Sequence, residues 1–448
     1  MAVKILTGDA LDKLAELPDD SVHCVVTSPP YWGLRDYGIA GELGQERTVA
    51  EHLYTLLRVF REVWRVLKSD GVFWLNYGDC YVVRSRGGPK VNPGDIQATN
   101  KGSHQKLIYP VFDLPLKNLL LLGTQLALAL QQPWLRCEHC KQTDHAQRWG
   151  RFPNGRKICP FCEKSMGVTV ALPGWILRSE CIWHKTNGMP ESAKDRPTVA
   201  HEKVFLFAKQ RVYYYDHRAV CSPMKRSTIE RATRARKTER VVPGQKPHLG
   251  EAVALRPNRR DRQRGHERKH QGFNDRWDAM SKEEQQANGA NLRNVWTIAT
   301  EGYPGNHYAT MPTALVELCI KAGTSEKGCC ALCGTPWSRK MTKASGGAIG
   351  KSWHAHDEDL RKGNGMRVPG HGHGYRPAQT IGWTPTCHCK SGDPVPCTVL
   401  DPFGGPGTVG LVANRLGRDA ILIELNPAYV EMARTRIQQD NPLFAEVR

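Results

Sequence analysis

Two runs of alternating strand and helix signals, one at each end of the chain, constrain this sequence more than anything between them. Val3–Thr7 reads as a strand ending at Gly8-Asp9. Ala10–Leu17 follows with Leu11, Leu14 and Leu17 on one helical face, and Pro18-Asp19-Asp20 ends it. Val22–Thr27 reads as a buried strand running into Ser28-Pro29-Pro30-Tyr31. A helix is predicted near Thr48–Leu67, with Leu53, Leu56, Leu57, Phe60, Trp64 and Leu67 at helical spacing. Ser69-Asp70-Gly71 should stop it, and Val72–Leu75 is the next strand. At the other end, Thr398-Val399-Leu400 leads to Asp401 and a glycine-rich turn, then a helix from about Thr408 to Leu416 with Gly417 past its end. Ala420–Ile423 is a strand ending at Glu424, and Asn426-Pro427 opens a last helix. Such alternation folds as an α/β layer around a mostly parallel sheet.

The charge balance narrows the partner. Of 448 residues, 63 are Lys or Arg and 44 Asp or Glu, a net +19. That excess calls for a polyanion, with nucleic acid ahead of an anionic membrane surface. Fifteen Lys or Arg against five acidic residues fall between 225 and 270, so about half of the excess sits in a tenth of the length. The longest apolar run, Leu119–Leu130, is too short to cross a bilayer and reads as a buried core helix. No secretory signal pattern precedes the first strand, so the cytoplasm is expected. The 15 cysteines there point to metal sites or core thiols in place of disulfides.

Asp401-Pro402-Phe403-Gly404-Gly405-Pro406-Gly407-Thr408 lies between a strand and a helix, where glycines let backbone approach a ligand. Glu424 ends the next strand, placed to accept the two hydroxyls of a ribose. Together they point to a nucleoside-containing cofactor; the glycine spacing departs from the dinucleotide fingerprint and disfavours NAD or FAD. At the other end, Pro29 and Pro30 stiffen the backbone and offer carbonyls without competing N–H groups. Ser28 adds an acceptor, and Tyr31 a ring that can stack on a flipped base.

Thr27–Tyr31 and its continuation Trp32-Gly33-Leu34-Arg35-Asp36-Tyr37 resemble the catalytic motif of the amino-methyltransferases that act on DNA, and Val399–Thr408 resembles their cofactor motif. With the catalytic motif first and the cofactor motif last, the chain resembles the permuted β-class. Arg61–Leu75, Ile182–Lys185, His201–Lys209 and His307–Ile320 resemble further parts of the same core. The resemblance implies a Rossmann-like, S-adenosylmethionine-dependent methyltransferase fold: permuted α/β, a mostly parallel sheet flanked by helices, with small zinc-binding insertions. It also implies roles. Asp401, Pro402, Phe403, Gly404, Gly407 and Thr408 would hold the methionine part of the cofactor, Glu424 and Asn426 the ribose side, and Asp9 and Ala10 the adenine. Thr310 and Pro312 would line the far side. Pro406 stands where the family commonly has Ser or Thr. Ser28 and the Pro29 carbonyl would accept the N–H bonds of an exocyclic amine, with Pro30 and Tyr31 completing the turn. A carbon-5 methylase would need a Pro-Cys nucleophile, and Pro396-Cys397 instead enters the cofactor strand.

The expected activity is methyl transfer from S-adenosylmethionine to the exocyclic amine of a flipped base in double-stranded DNA. Ser before Pro-Pro favours cytosine N4 over adenine N6. A non-catalytic DNA-binding protein on a methylase core is the alternative from another class; RNA or protein amide methylation, usually carried by Asn before Pro-Pro, is disfavoured. A homodimer is left open, no membrane partner is expected, and the expected compartment is a prokaryotic or phage-infected cytoplasm.

Cys137-x2-Cys140 and Cys159-x2-Cys162 form two paired knuckles 18 residues apart, the spacing of a structural zinc ribbon. Cys330-x2-Cys333 with Cys387-x-Cys389 is a second expected set, in which Cys329 and His388 are rival ligands. His354, His356, His371 and His373 read as a solvated Gly-His loop. The expected organisation is a catalytic half-core at 1–135, a zinc-ribbon insertion at 136–168 and core continuation at 169–224. A basic target-recognition region at 225–295, a core helix region at 296–328, a second cysteine-rich insertion at 329–390 and the cofactor half at 391–448 complete it.

Overall fold

The computed structural model arranges the N-terminal alternation as β1 (Ala2–Thr7), α1 (Ala10–Ala15), β2 (Val22–Thr27), α2 (Val49–Val66) and β3 (Leu67–Tyr77). Its described residues are 2–33, 39, 41–82, 114–151, 156–164, 168–188, 190–221, 291–302, 310–341, 380–390, 392–441 and 446–447. The basic stretch 225–270, the histidines at 354, 356, 371 and 373, and residues 34–37 of the extended motif lie outside them.

Local chemistry sets the helix ends. Asp9 caps α1 by accepting Leu11 N and Asp12 N on its Oδ1. Thr48 and Glu51 form a reciprocal capping box on α2, whose inward face buries Leu53, Leu56, Leu57, Phe60 and Val63. Contrary to the expectation from the sequence, Ser69-Asp70-Gly71 does not separate helix from strand. β3 begins at Leu67, and the three residues bulge within it: Val22 pairs with Leu67 but Cys24 with Val72. A side chain at Gly71 would meet the His23 carbonyl at 2.8 Å, so the bulge needs glycine.

The middle of the chain supplies α3 (Leu122–Leu130), then β4 (Trp134–Cys137), β5 (Thr143–His145), β6 (Gly150–Arg151), β7 (Lys157–Ile158) and β8 (Val168–Leu172). The helix expected from Leu119 starts three residues late. Leu121 takes a left-handed conformation, and Leu119 bridges to Tyr81. Next come β9 (Ile176–His184), β10 (His201–Ala208), β11 (Val295–Thr297), α4 (Thr313–Gly323), β12 (Ser338–Met341) and β13 (Thr380–Thr384). The C-terminal alternation is β14 (Thr398–Asp401), α5 (Thr408–Arg415), β15 (Asp419–Glu424), α6 (Pro427–Asp440) and β16 (Glu446–Val447).

Nine strands make the main sheet, in the order β11-β9-β10-β3-β2-β14-β15-β1-β16. Pairing is parallel from β3 to β16, and antiparallel only where β10 meets β3 and β9. The mostly parallel α/β sheet expected from the alternation is therefore present. β2 sits between β3 and β14 and is buried along its whole length, so the two ends of the chain meet at the middle of the sheet. Val25 faces a core built with α1, α2 and α3. On the other face α4 ends so close to the sheet that a Cβ on Gly323 would lie 2.6 Å from Cys24 Sγ.

Two compact units are present. The first comprises 1–220, 293–338 and 384–448 and contains the nine-stranded sheet and both cysteine sets; the second comprises 221–292 and 339–383. Within the second, Arg339 stacks over Trp383 at 4.4 Å.

Candidate active site

A cavity of about 490 Å³ opens at the C-terminal ends of the parallel strands, where open α/β sheets receive ligands. Ser28, Pro29, Pro30 and Tyr31 line it, together with Asp9, Ala10, Thr310, Asp401, Pro402, Phe403, Gly404, Thr408, Glu424 and Asn426. Pro312 and Gly407 do not. Pro312 is the buried N-cap of α4, its carbonyl accepting Leu315 N and Val316 N. Gly407 has φ +77°, and a Cβ there would strike Ala433 of α6 at 2.8 Å. Its glycine is required by helix packing on the side away from the cavity.

The β14–β15 side is a cradle of backbone and acid. Gly404 N donates to Ile423 O at 2.8 Å, pinning the turn to β15. Glu424 accepts Gly405 N on one carboxylate oxygen and Asn426 N on the other, each at 2.8 Å. The carboxylate is thus oriented before any ligand arrives. Burial pushes Glu424 above the usual carboxylate range, against the pull of those amides. Asp401 is fully buried, and desolvation raises it to about 7 despite hydrogen bonds from Thr27 and Phe403; the Glu424 charge adds to the rise. A buried acid held near neutrality is matched to a cationic ligand group.

On the β2 side, Ser28 Oγ donates to Tyr31 Oη at 3.1 Å, and Tyr31 Oη donates to Glu202 Oε2 at 3.0 Å. The Ser28 proton is thereby committed, leaving its lone pairs as acceptors. Burial, then the Glu202 charge, hold the Tyr31 phenol well above its ordinary value, so it stays protonated. The Tyr31 ring packs on Tyr77 at 4.8 Å. Tyr77 Oη in turn meets His52 Nε2 at 2.7 Å, and His52 Nδ1 meets Glu46 at 2.8 Å. Gly78 leaves room for the Tyr31 ring; a Cβ there would lie 2.6 Å from Tyr31 Cε2.

Several residues around the cavity were not singled out from the sequence. Asn76 and Glu202 are neighbours across β3 and β10, with Asn76 Nδ2 donating to Glu202 Oε2 at 3.0 Å. Lys185 pairs with Glu202 and lies over the Trp183 ring at 4.8 Å. The only signal was an acid at the start of the apolar run Val204–Ala208, which strand periodicity does not distinguish from a solvated strand end. Thr27, inside the motif, is buried and donates to Asp401 Oδ1 at 2.6 Å without lining the cavity.

Both cysteine sets come together. The four sulfurs of Cys137, Cys140, Cys159 and Cys162 lie within 4.8 Å of one another, as do those of Cys330, Cys333, Cys387 and Cys389. The rivals do not join: Cys329 Sγ turns to the carbonyls of Val395 and Pro396, and His388 is not part of the group.

A cradle for a nucleoside at one end of a cavity, with amine acceptors beside a stacking ring at the other, is what methyl transfer to base amines requires. Glycine-turn backbone, a strand-end acid with oriented oxygens and a buried acid near neutrality fit S-adenosylmethionine. The chain belongs to the N6/N4 DNA methylase family, whose model matches residues 22–331 and 386–435, and is an S-adenosylmethionine-dependent amino-methyltransferase. It is 28% identical over 440 residues to the type II methyltransferase M.Cfr9I of Citrobacter freundii, covering 98% of this chain and 88% of that one. It is 27% identical over 435 residues to M.SmaI of Serratia marcescens, covering 97% and 90%. Among solved structures, the PvuII DNA methyltransferase, named as cytosine-N4-specific, aligns over 100% of this chain and 96% of that one at 14% identity and a TM-score of 0.43.

Proposed function

We propose that this chain is a site-specific, type II DNA methyltransferase whose target is the exocyclic amine of a flipped base, cytosine N4 in preference to adenine N6. The observation that carries the reading is that Ser28 and Tyr31 share one cavity with Asp401 and Glu424. Bound S-adenosylmethionine would supply an electrophilic methyl group. Asp401 and the turn Pro402–Gly404 would hold its methionine part, Glu424 and Asn426 its ribose, and Asp9 and Ala10 its adenine.

An exocyclic amine is a weak nucleophile because its lone pair is delocalised into the ring. Ser28 Oγ and the Pro29 carbonyl would accept its two N–H bonds and return electron density to nitrogen. Tyr31 would stack on the base and fix the line of attack, so positioning makes the main contribution. The proton released from the amine would pass to this acceptor group and on to water. The Ser28–Tyr31–Glu202 chain supports the assignment, because it turns Ser28 into an acceptor before substrate binds.

The basic stretch 225–270 would supply phosphate contacts and sequence reading. No described helix is long and apolar enough to cross a membrane. The proposed site of action is the cytoplasm of a prokaryotic or phage-infected cell, a reading supported by the bacterial sources of the similar methyltransferases.

The test is to methylate duplex DNA, digest it to nucleosides and identify the product by mass spectrometry. N4-methylcytosine is expected. N6-methyladenine would overturn the base preference, and label absent from DNA would overturn the reading.

A further inference from the structure

Three Cys-x2-Cys segments share one backbone conformation. Cys137 O accepts Lys141 N at 3.0 Å, and Cys137 N donates to Gln142 O at 2.9 Å. Cys159 repeats this with Glu163 at 3.0 Å and Lys164 at 3.3 Å, and Cys330 with Gly334 at 2.8 Å and Thr335 at 2.9 Å. The residue after the second cysteine is left-handed each time: Lys141 at φ +63°, Glu163 at +59° and Gly334 at +71°. Lys and Glu do not favour that region, so the turn holds them there against their preference. What it gains is two sulfurs aimed at one point.

The sulfur spacing is that of a metal site. Cys137 and Cys162 Sγ are 3.8 Å apart, and Cys140 and Cys159 Sγ 3.6 Å. A tetrahedral ion with zinc–sulfur bonds of about 2.3 Å sets its sulfurs about 3.8 Å apart. Phe161 N also donates to Cys159 Sγ at 3.4 Å, as amides do to a thiolate. The packing around this set independently calls for a staple. Among the described residues its satellite core buries Leu135, Cys137, Ala146, Trp149 and Cys159, two of which are the thiols themselves. So small a core does not hold a fold by burial alone.

We propose that the chain binds two structural zinc ions, one in Cys137/Cys140/Cys159/Cys162 and one in Cys330/Cys333/Cys387/Cys389. Four thiolates close the coordination shell, so neither ion has an open position for catalysis. Soft, tetrahedral sulfur sites take zinc or iron, and the divalent affinity order places zinc above iron.

The two ions serve different parts of the core. The first fastens the β4–β8 insertion, which docks on α2: Tyr54 Oη donates to Asp144 at 2.8 Å, and Arg61 lies over Trp134 at 4.6 Å. The second fastens the entry ends of the central strands. Gly334 O in its knuckle meets His23 Nε2 at 2.8 Å, and His23 Nδ1 accepts Thr398 N at 2.9 Å. Lys68 Nζ donates to Cys333 O at 2.9 Å. One knuckle thus ties β2, the β3 bulge and β14 at the end opposite the cavity. A third grouping, His23 with Cys329 and Cys397, is excluded by the same bonds: both ring nitrogens of His23 are committed, which leaves two thiols.

Elemental analysis of the full chain, purified without chelator, should find two zinc ions per chain, and X-ray absorption four sulfur neighbours at about 2.3 Å. The double variants Cys140→Ser/Cys162→Ser and Cys333→Ser/Cys389→Ser should each retain one. If either fails to fold, mercurial titration of the unaltered chain should release two zinc ions as the eight thiols of the two sets react. A count other than two, nitrogen or oxygen neighbours, iron in place of zinc, or disulfides within either set would overturn the proposal. These readouts are independent of methyl transfer.

Discussion

The hydroxyl of Thr27 donates to Oδ1 of Asp401 at 2.6 Å, joining the ends of β2 and β14 across 374 residues of sequence. The bond is buried and short, and it fixes the two sides of the cavity relative to one another. Thr27→Val keeps the shape and removes the donor. It should lower stability by about 1–3 kcal/mol, the cost of an unsatisfied buried polar group. It should also weaken cofactor binding. Chemical denaturation and calorimetric titration with S-adenosylmethionine measure both; unchanged values would mean that Asp401 does not depend on Thr27.

Cofactor affinity should depend on pH through Asp401. Its folded carboxyl titrates at about 7, raised by burial from 3.8. For stability, a raised acid favours the fold most below the unfolded value, and that contribution is lost as pH rises towards 7. For binding, a cationic ligand group favours the carboxylate, so binding releases a proton. Affinity for S-adenosylmethionine should fall by up to ~tenfold per pH unit below 7 and level off above it. Calorimetry in buffers of different ionisation enthalpy reads the released proton; a buffer-independent heat would contradict this.

Tyr31 combines a ring and a hydroxyl, and two substitutions separate them. Tyr31→Ala should lower kcat/KM by roughly 10- to 100-fold, the loss of one base–aromatic stack of about 1–3 kcal/mol. Tyr31→Phe keeps the ring on Tyr77 and frees the Ser28 proton to rotate into the cavity. Its loss should fall on kcat. Unaltered kinetics for Tyr31→Phe would leave the hydroxyl without a part, and equal losses in the two variants would leave the ring without one.

Glu202→Gln is nearly isosteric and removes the charge that Tyr31, Asn76 and Lys185 share. A charged hydrogen bond of about 1.5 kcal/mol corresponds to roughly a tenfold fall in kcat. Cofactor affinity should not change, because Glu202 lies on the β10 side of the cavity. A larger effect on the dissociation constant for S-adenosylmethionine than on kcat would relocate its influence.

Strands and caps were legible in the sequence wherever one local interaction decides them. The run Val22–Thr27 and the helix starts near Ala10 and Thr48 depend on neighbours within a few residues, and all lie where local pattern puts them; the Asp9 cap and the Thr48/Glu51 box that fix those starts come from the structure. What the pattern missed depends on remote packing. The β3 bulge exists because Gly71 passes the His23 carbonyl, and Leu119 left its helix to bridge Tyr81. Gly407 reads as part of a ligand turn, yet its lack of a side chain answers to Ala433. Glu202 could not be singled out because nothing local marks a strand-end acid that meets Tyr31 171 residues away. Between Cys329 and Cys330, adjacent in sequence, only the direction of each side chain decides which joins the thiol set.

The position of β14 beside β2 has a consequence for synthesis. β2 is made early, but its neighbour β14 leaves the ribosome some 370 residues later. At 5–20 residues per second the interval is on the order of 20–70 s. Throughout it, one edge of an apolar, fully buried strand has no partner. The N-terminal strands therefore wait, exposed to aggregation, for the last part of the chain to close the sheet. Chaperone demand and sensitivity to translation rate are built into this order of elements.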